Sequence, residues 1–141
     1  MSDADWPALR GWLLVPAAIL VLSGLTAGCS SSKPAYCTAA SQLKTDVNKL
    51  GNLTVNVNDL GSVKTAVSKV QADAKTLASD TKSAYPSQTS ALQNSLSSLE
   101  TAVKSASATP SVTTVAAVVS SIAQVKTAAG NLQMAVKGKC Q

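Results

Sequence analysis

Histidine and phenylalanine are absent from this 141-residue chain, arginine occurs once, at position 10, and aromatic residues make up only 3%. Without histidine there is no imidazole general base, so triads built on it are excluded and a metal site would lack its commonest nitrogen ligand. Trp6 and Trp12 lie in the first dozen residues, which leaves Tyr36 and Tyr85 as the only rings downstream. A core must then be assembled from Val, Leu, Ile and Ala, which suits helix packing and offers a ligand few flat surfaces to stack on. The scarcity of arginine weighs against nucleic-acid recognition, because bidentate contact with phosphate or guanine depends on its guanidinium. No nucleic-acid partner is expected.

Charge is sparse as well. The net charge is +5 over the whole chain, and beyond Cys29 eleven lysines face five acids, so 11 − 5 = +6. The lysines are scattered, which reads as a solvated surface. The five acids are Asp46, Asp59, Asp73, Asp80 and Glu100. Asp73 and Asp80 are seven residues apart and share a helix face, but Lys69 lies four residues before Asp73, so the pattern reads as solvated charges at helical spacing rather than paired catalytic carboxylates. Ser41 with Lys44 and Ser79 with Lys82 have Ser-x-x-Lys spacing, yet neither a Ser-Asp-Asn nor a Lys-Thr-Gly element accompanies them. A Gly-x-Ser-x-Gly elbow, a glycine-rich phosphate loop and a Cys-x-x-Cys pair are all missing. No catalytic residue, metal ligand set or cofactor is nominated, and enzymatic activity is not expected.

What is present begins with WLLVPAAILVLSGL, from Trp12 to Leu25, an apolar run behind Arg10 that closes on small residues in the layout of a secretory signal. Pro16, Ser23 and Gly24 interrupt it, and it falls short of the roughly 20 residues of a membrane-spanning helix. It ends in Leu25-Thr26-Ala27-Gly28-Cys29, which resembles the lipobox of bacterial lipoproteins, although Thr26 stands where that family usually has Leu, Val or Ile. The resemblance implies that residues 1–28 are a signal peptide cleaved between Gly28 and Cys29, that the Cys29 thiol receives a diacylglyceryl group, and that the protein is held on the extracytoplasmic face of the cell membrane. Two acyl chains anchor a protein stably where one does not. Residues 29–35 then form the lipidated cysteine and a polar tether, stiffened at Pro34. In a bacterial protein the glycosylation-type sequence Asn52-Leu53-Thr54 has no force. By composition alone, Cys37 to Cys140 is similar to the Ala/Ser/Thr/Val-rich small lipoproteins of high-GC actinobacteria.

Residues 36–141 read as one domain of four amphipathic helices. The first stripe is Tyr36, Ala40, Leu43, Val47 and Leu50, stopping at Gly51 as a C-cap glycine. The second starts at Asn58-Asp59, a capping pair, and carries Leu60, Val63, Val67, Val70, Ala74, Leu77 and Ala84 until Tyr85-Pro86 breaks it. The third carries Tyr85, Thr89, Leu92, Leu96, Leu99, Val103 and Ala106. The fourth follows Thr109-Pro110, read as N-cap and first-turn proline, and carries Val115, Val118, Ile122, Val125, Ala129, Leu132 and Val136, widened by Val119 and Met134. The alternating Leu53, Val55 and Val57 are too short to build a sheet and belong to the first connection. Short links predict an all-α, antiparallel four-helix bundle whose two ends return to one pole. Cys37 and Cys140 are expected to meet there as a disulfide, which an exported protein can keep.

The function class that follows is a binding or scaffolding component of the cell envelope, with an envelope protein or an apolar ligand as partner. The alternative is a carrier that holds a lipid or other apolar ligand in a cavity between the helices.

Overall fold

The computed structural model describes residues 33–141, so Cys29 and the Gly28–Cys29 cleavage position lie outside the described residues. The chain forms α1 (Ala35–Gly51), α2 (Leu60–Thr81), α3 (Pro86–Ala108) and α4 (Val112–Lys137), with no strand among the described residues. Connections at 52–59, 82–85 and 109–111 are too short to cross the body, so successive helices run antiparallel. α1 packs on α2 and α4, and α3 packs on α2 and α4, while the backbones of the diagonal pairs stay more than 8 Å apart. The bundle is thus a square ring in chain order.

Its core is aliphatic throughout. Leu43 and Leu50 of α1, Val63, Val70 and Leu77 of α2, Leu92 and Leu99 of α3, and Val118, Val125 and Leu132 of α4 have no exposed surface. These are residues of the stripes read from the sequence, since a period of 3.6 places positions three and four apart on one face. Because β-branched side chains lower helix propensity, the helices depend on this mutual burial rather than standing alone. Two buried hydroxyls interrupt the aliphatic layers at one pole. Thr81 Oγ1 donates to Leu77 O at 2.8 Å and lies 3.1 Å from Thr89 Oγ1, so each polar atom has a partner where α2 turns into α3.

The helix ends correct several readings. Gly51 is not a left-handed C-cap: it is the last residue of α1, and Asn52 caps in right-handed geometry with φ −96°. Asp59 holds the N-cap position of α2 but accepts from the Ser62 hydroxyl at 2.6 Å, not from a backbone N–H. Ala84 is exposed in the turn after α2. Ser111, not Thr109, caps α4: its hydroxyl accepts from Thr114 N at 3.1 Å while Ser111 N donates to Thr114 Oγ1 at 3.0 Å, a reciprocal capping box. Val119 and Met134, assigned to the inner stripe, point outward with 50% and 69% of their surface exposed.

The two poles close differently. At one, Leu53 and Val55 of the first connection fold onto the core. At the other, Tyr36 and Tyr85 meet edge to face with centroids 6.3 Å apart, and Cys37 is bonded to Cys140 with 5.5 Å between Cα atoms and a sequence separation of 103. Replacing both cysteines, Cys37→Ser with Cys140→Ser, should lower the unfolding free energy by up to about 4.7 kcal/mol, the chain-entropy value for a loop of about 100 residues; an unchanged urea midpoint would contradict this. Ser111→Ala should cost about 1 kcal/mol by the same measurement, whereas Thr109→Ala should stay within about 0.5 kcal/mol.

Candidate functional site

The charged groups that are withdrawn from water lie along the seam of α1 and α2. Asp46 is 2% exposed, one position before Val47 of the core stripe. Its Oδ2 accepts from Lys69 Nζ of α2 at 2.6 Å and from Gln42 Nε2 at 3.1 Å, and its Oδ1 accepts from Lys49 Nζ at 3.4 Å. The antiparallel register brings Lys69 opposite Asp46, and one helical turn further on α2 places Asp73 beside the same carboxylate.

Asp73 is half-buried, and its Oδ2 is shut off from solvent without a hydrogen-bond partner. That arrangement suits a neutral carboxyl. Burial first, and then the hydrogen bond to Asp46 and its negative charge, push the Asp73 carboxyl above its ordinary value. The hydrogen bond from Asp73, followed by that from Lys69, holds Asp46 far below the usual carboxylate range. Lys69 is raised, chiefly by its bond to Asp46. Asp46 and Asp73 are therefore a coupled pair beside one ammonium group, the first favoured in its ionised form and the second in its neutral form.

A groove of about 360 Å³ opens over the pair, lined by Thr38, Gln42, Asp73, Thr76 and Asp80 among others. Asp73 and Asp80 do share this face, but their surroundings differ: Asp80 is exposed, whereas Asp73 belongs to the buried cluster. The reading of Asp73 as a solvated charge is thereby corrected. Among the described residues, no group of three or more His, Cys, Asp or Glu side chains is placed to hold a metal ion. The Ser-x-x-Lys pairs form no nucleophilic site either. Ser41 donates to Cys37 O at 3.1 Å and Ser79 to Thr76 O at 2.7 Å, each on its own helix, and Lys44 and Lys82 are exposed.

Two further grooves flank α4. One of about 480 Å³, beside the Cys37–Cys140 bond, is lined by Ala40, Lys44, Gly130, Gln133, Met134 and Lys137. The other, of about 410 Å³ between α3 and α4, is lined by uncharged side chains, among them Ala91, Ser95, Ser120, Ala123 and Thr127. No protein-family model, curated protein or solved structure matches the chain.

Asp46 escaped the sequence reading because it sits on the flank of the apolar stripe, where a solvated charge is the default. The signal that could have found it is Lys69 and Asp73 at a four-residue spacing on α2, and it becomes informative only once the register of α1 against α2 is known.

The pair gives stability a pH signature with two signs. Asp46, lowered on folding, contributes stability that is complete above its unfolded value near 3.9 and is lost as pH falls through its folded value. Asp73, raised on folding, works the other way: its ionised form is disfavoured, so stability rises as pH falls through its folded value. Asp73→Asn, whose amide can still donate to Asp46, should raise the urea midpoint at pH 7, with the gain shrinking as pH falls through the folded value of Asp73 and gone below its unfolded value near 3.9. A gain constant with pH would show that proton uptake by Asp73 is not the cause.

Proposed function

We propose that the chain is a lipid-anchored, extracytoplasmic helical bundle that acts by binding or scaffolding at the cell envelope. The observation that carries this reading is the succession of Leu25-Thr26-Ala27-Gly28-Cys29, a tether of Ser30, Ser31, Ser32, Lys33 and Pro34, and a bundle whose first turn holds Cys37 in a disulfide. A disulfide linking the two ends of a small domain persists in oxidising compartments outside the cytoplasm, which agrees with export. The polar tether then enters the bundle at the disulfide pole.

The same pole is basic. Lys33 precedes α1, Lys82 lies in the connection from α2 to α3, and Lys137 and Lys139 close α4, with Asp80 as the acid near them. A basic end facing an anionic bilayer gains about 1 kcal/mol per lysine near the surface, a supplement to two acyl chains and not a substitute for them. Carriage of an apolar ligand is the second reading. The core leucines are fully buried and fill the interior, so an acyl chain would use the open groove beside the disulfide, where Ala40, Gly130 and Val136 meet Lys44 and Lys137.

In the producing cell, a labelled fatty acid should enter the wild-type protein and not Cys29→Ala, which should leave the membrane fraction. Identical labelling and fractionation of the two forms would refute the anchor.

A further inference from the structure

The seam of α1 with α4 is cationic along its length. On α4, Val119, Lys126, Gly130, Gln133 and Lys137 follow one another at steps of seven, four, three and four. At 3.6 residues per turn, that spacing keeps them within about 30° of one line. Gln133 shows which way the line faces, because its side chain donates to Ala40 O of α1 at 3.1 Å. The facing row on α1 is Cys37, Ser41, Lys44 and Asn48, at steps of four, three and four. With Cys37 bonded to Cys140 and Gln133 to Ala40, the antiparallel register sets Lys44 between Lys137 and Lys126 in height. Three ammonium groups therefore rise along the seam within about 16 Å.

No acid answers them. α4 carries none, and the one acid of α1, Asp46, is buried and bound to Lys69 on the α2 side. Asp59, Asp73, Asp80 and Glu100 belong to α2, to α3 or to the connection before α2. Among the described residues, the ion pairs use Lys49, Lys69 and Lys104, so Lys44, Lys126 and Lys137 present exposed charge without a carboxylate partner. The opposite seam, α2 with α3, differs in holding Glu100 between Gln71 and Lys104. Apolar side chains share the cationic face. Val119 exposes 50% of its surface, and Met134, which lines the groove with Lys44 and Lys137, exposes 69%. Unpaired lysines interleaved with exposed apolar groups fit the boundary of an anionic bilayer, where cations meet headgroups and apolar side chains enter below them. A hydrophilic polyanion would use the lysines alone.

We propose that the seam of α1 with α4 is the face that the bundle lays on anionic phospholipid, with Lys44, Lys126 and Lys137 among the headgroups and Val119 and Met134 dipped between them. This rests on the lipid anchor proposed above for the nearness of the bilayer, and adds an orientation to it. Residues 29–34 link the acylated cysteine to α1 and span at most about 20 Å. The body is thus confined to the layer next to the lipid, and its second contact is intramolecular. The seam begins at the disulfide pole, where Lys33 and Lys139 stand, so tilting the bundle onto it keeps that pole at the membrane. Each lysine near an anionic surface favours the contact about fivefold, an attraction that falls with salt.

The full chain with its anchor, purified from the producing cell and reconstituted in vesicles of phosphatidylcholine alone or mixed with phosphatidylglycerol, tests this. Met134→Cys on the seam and Ser97→Cys in the groove of the opposite seam each carry an environment-sensitive fluorophore, read by quenching with neutral acrylamide. At low salt the label at position 134 should lose acrylamide access on the mixed vesicles and keep it on phosphatidylcholine, while the label at position 97 stays accessible on both. Lys44→Gln, Lys126→Gln and Lys137→Gln together weaken the contact about a hundredfold and should restore access at position 134 with the helical circular dichroism retained. Full access at position 134 in protein that sediments with the mixed vesicles would overturn the proposal and leave the anchor standing; protein that sediments with neither vesicle would refute both. Shielding that is equal on the two vesicles, that survives the three substitutions, or that soluble dextran sulfate reproduces on phosphatidylcholine would also overturn it, the last assigning the seam to a polyanion.

Discussion

The bond between Cys37 and Cys140 is the constraint on which the architecture rests. In a ring of helices joined in chain order, three seams are supported by the connections between consecutive helices, and the seam of α1 with α4 has no such support. α1, with 17 residues, is also the shortest helix and faces α4, the longest at 26. The disulfide supplies the missing connection by covalent means and removes conformational freedom from the unfolded chain over nearly the whole domain. The Gln133 side chain, donating to Ala40 O at 3.1 Å across the same seam, adds a specific contact. Helices rich in Val and Thr, with low intrinsic propensity, need this closure because each is stable only while its neighbours are in place.

Polar groups are distributed unevenly around the closed ring. The seam of α1 with α2 holds Asp46, Lys69 and Asp73, where removing one partner would strand a buried charge. The seam of α2 with α3 carries the looser link of Gln71 Nε2 to Glu100 at 3.1 Å, with Lys104 at 2.7 Å from the same carboxylate on the surface. The outer side of α3 and α4 is nearly uncharged. One side of the molecule is therefore held in register by ion pairs, while the other presents mostly small, uncharged side chains.

Much of this was legible in the chain. The stripes from Ala40 to Leu50, Val63 to Leu77, Leu92 to Ala106 and Val118 to Val136 are buried as their spacing implies, because periodicity is a local property that any helix must honour. The non-sheet character of Leu53 to Val57 followed from its length. Helix ends were less legible, since capping depends on side-chain geometry as well as residue type: Thr109 and Ser111 are both good caps by composition, and only Ser111 has Thr114 three residues on to complete the box. Val119 and Met134 were assigned inward because α4 has apolar residues in both directions, and composition alone does not say which stripe the bundle uses.

Sequence by itself determined the helical class, the number of helices, their antiparallel order and the pairing of Cys37 with Cys140, all of which follow from periodicity, link length and the return of an even number of helices to one pole. Tertiary structure alone decided that Asp46 would be buried, that Asp73 would lie against it with an oxygen shut away from solvent, and that Val112, Val119 and Met134 of α4 would be left outside. These depend on the rotation and register of one helix against its neighbour, which are set by the packing of many side chains at once and are written in no single segment.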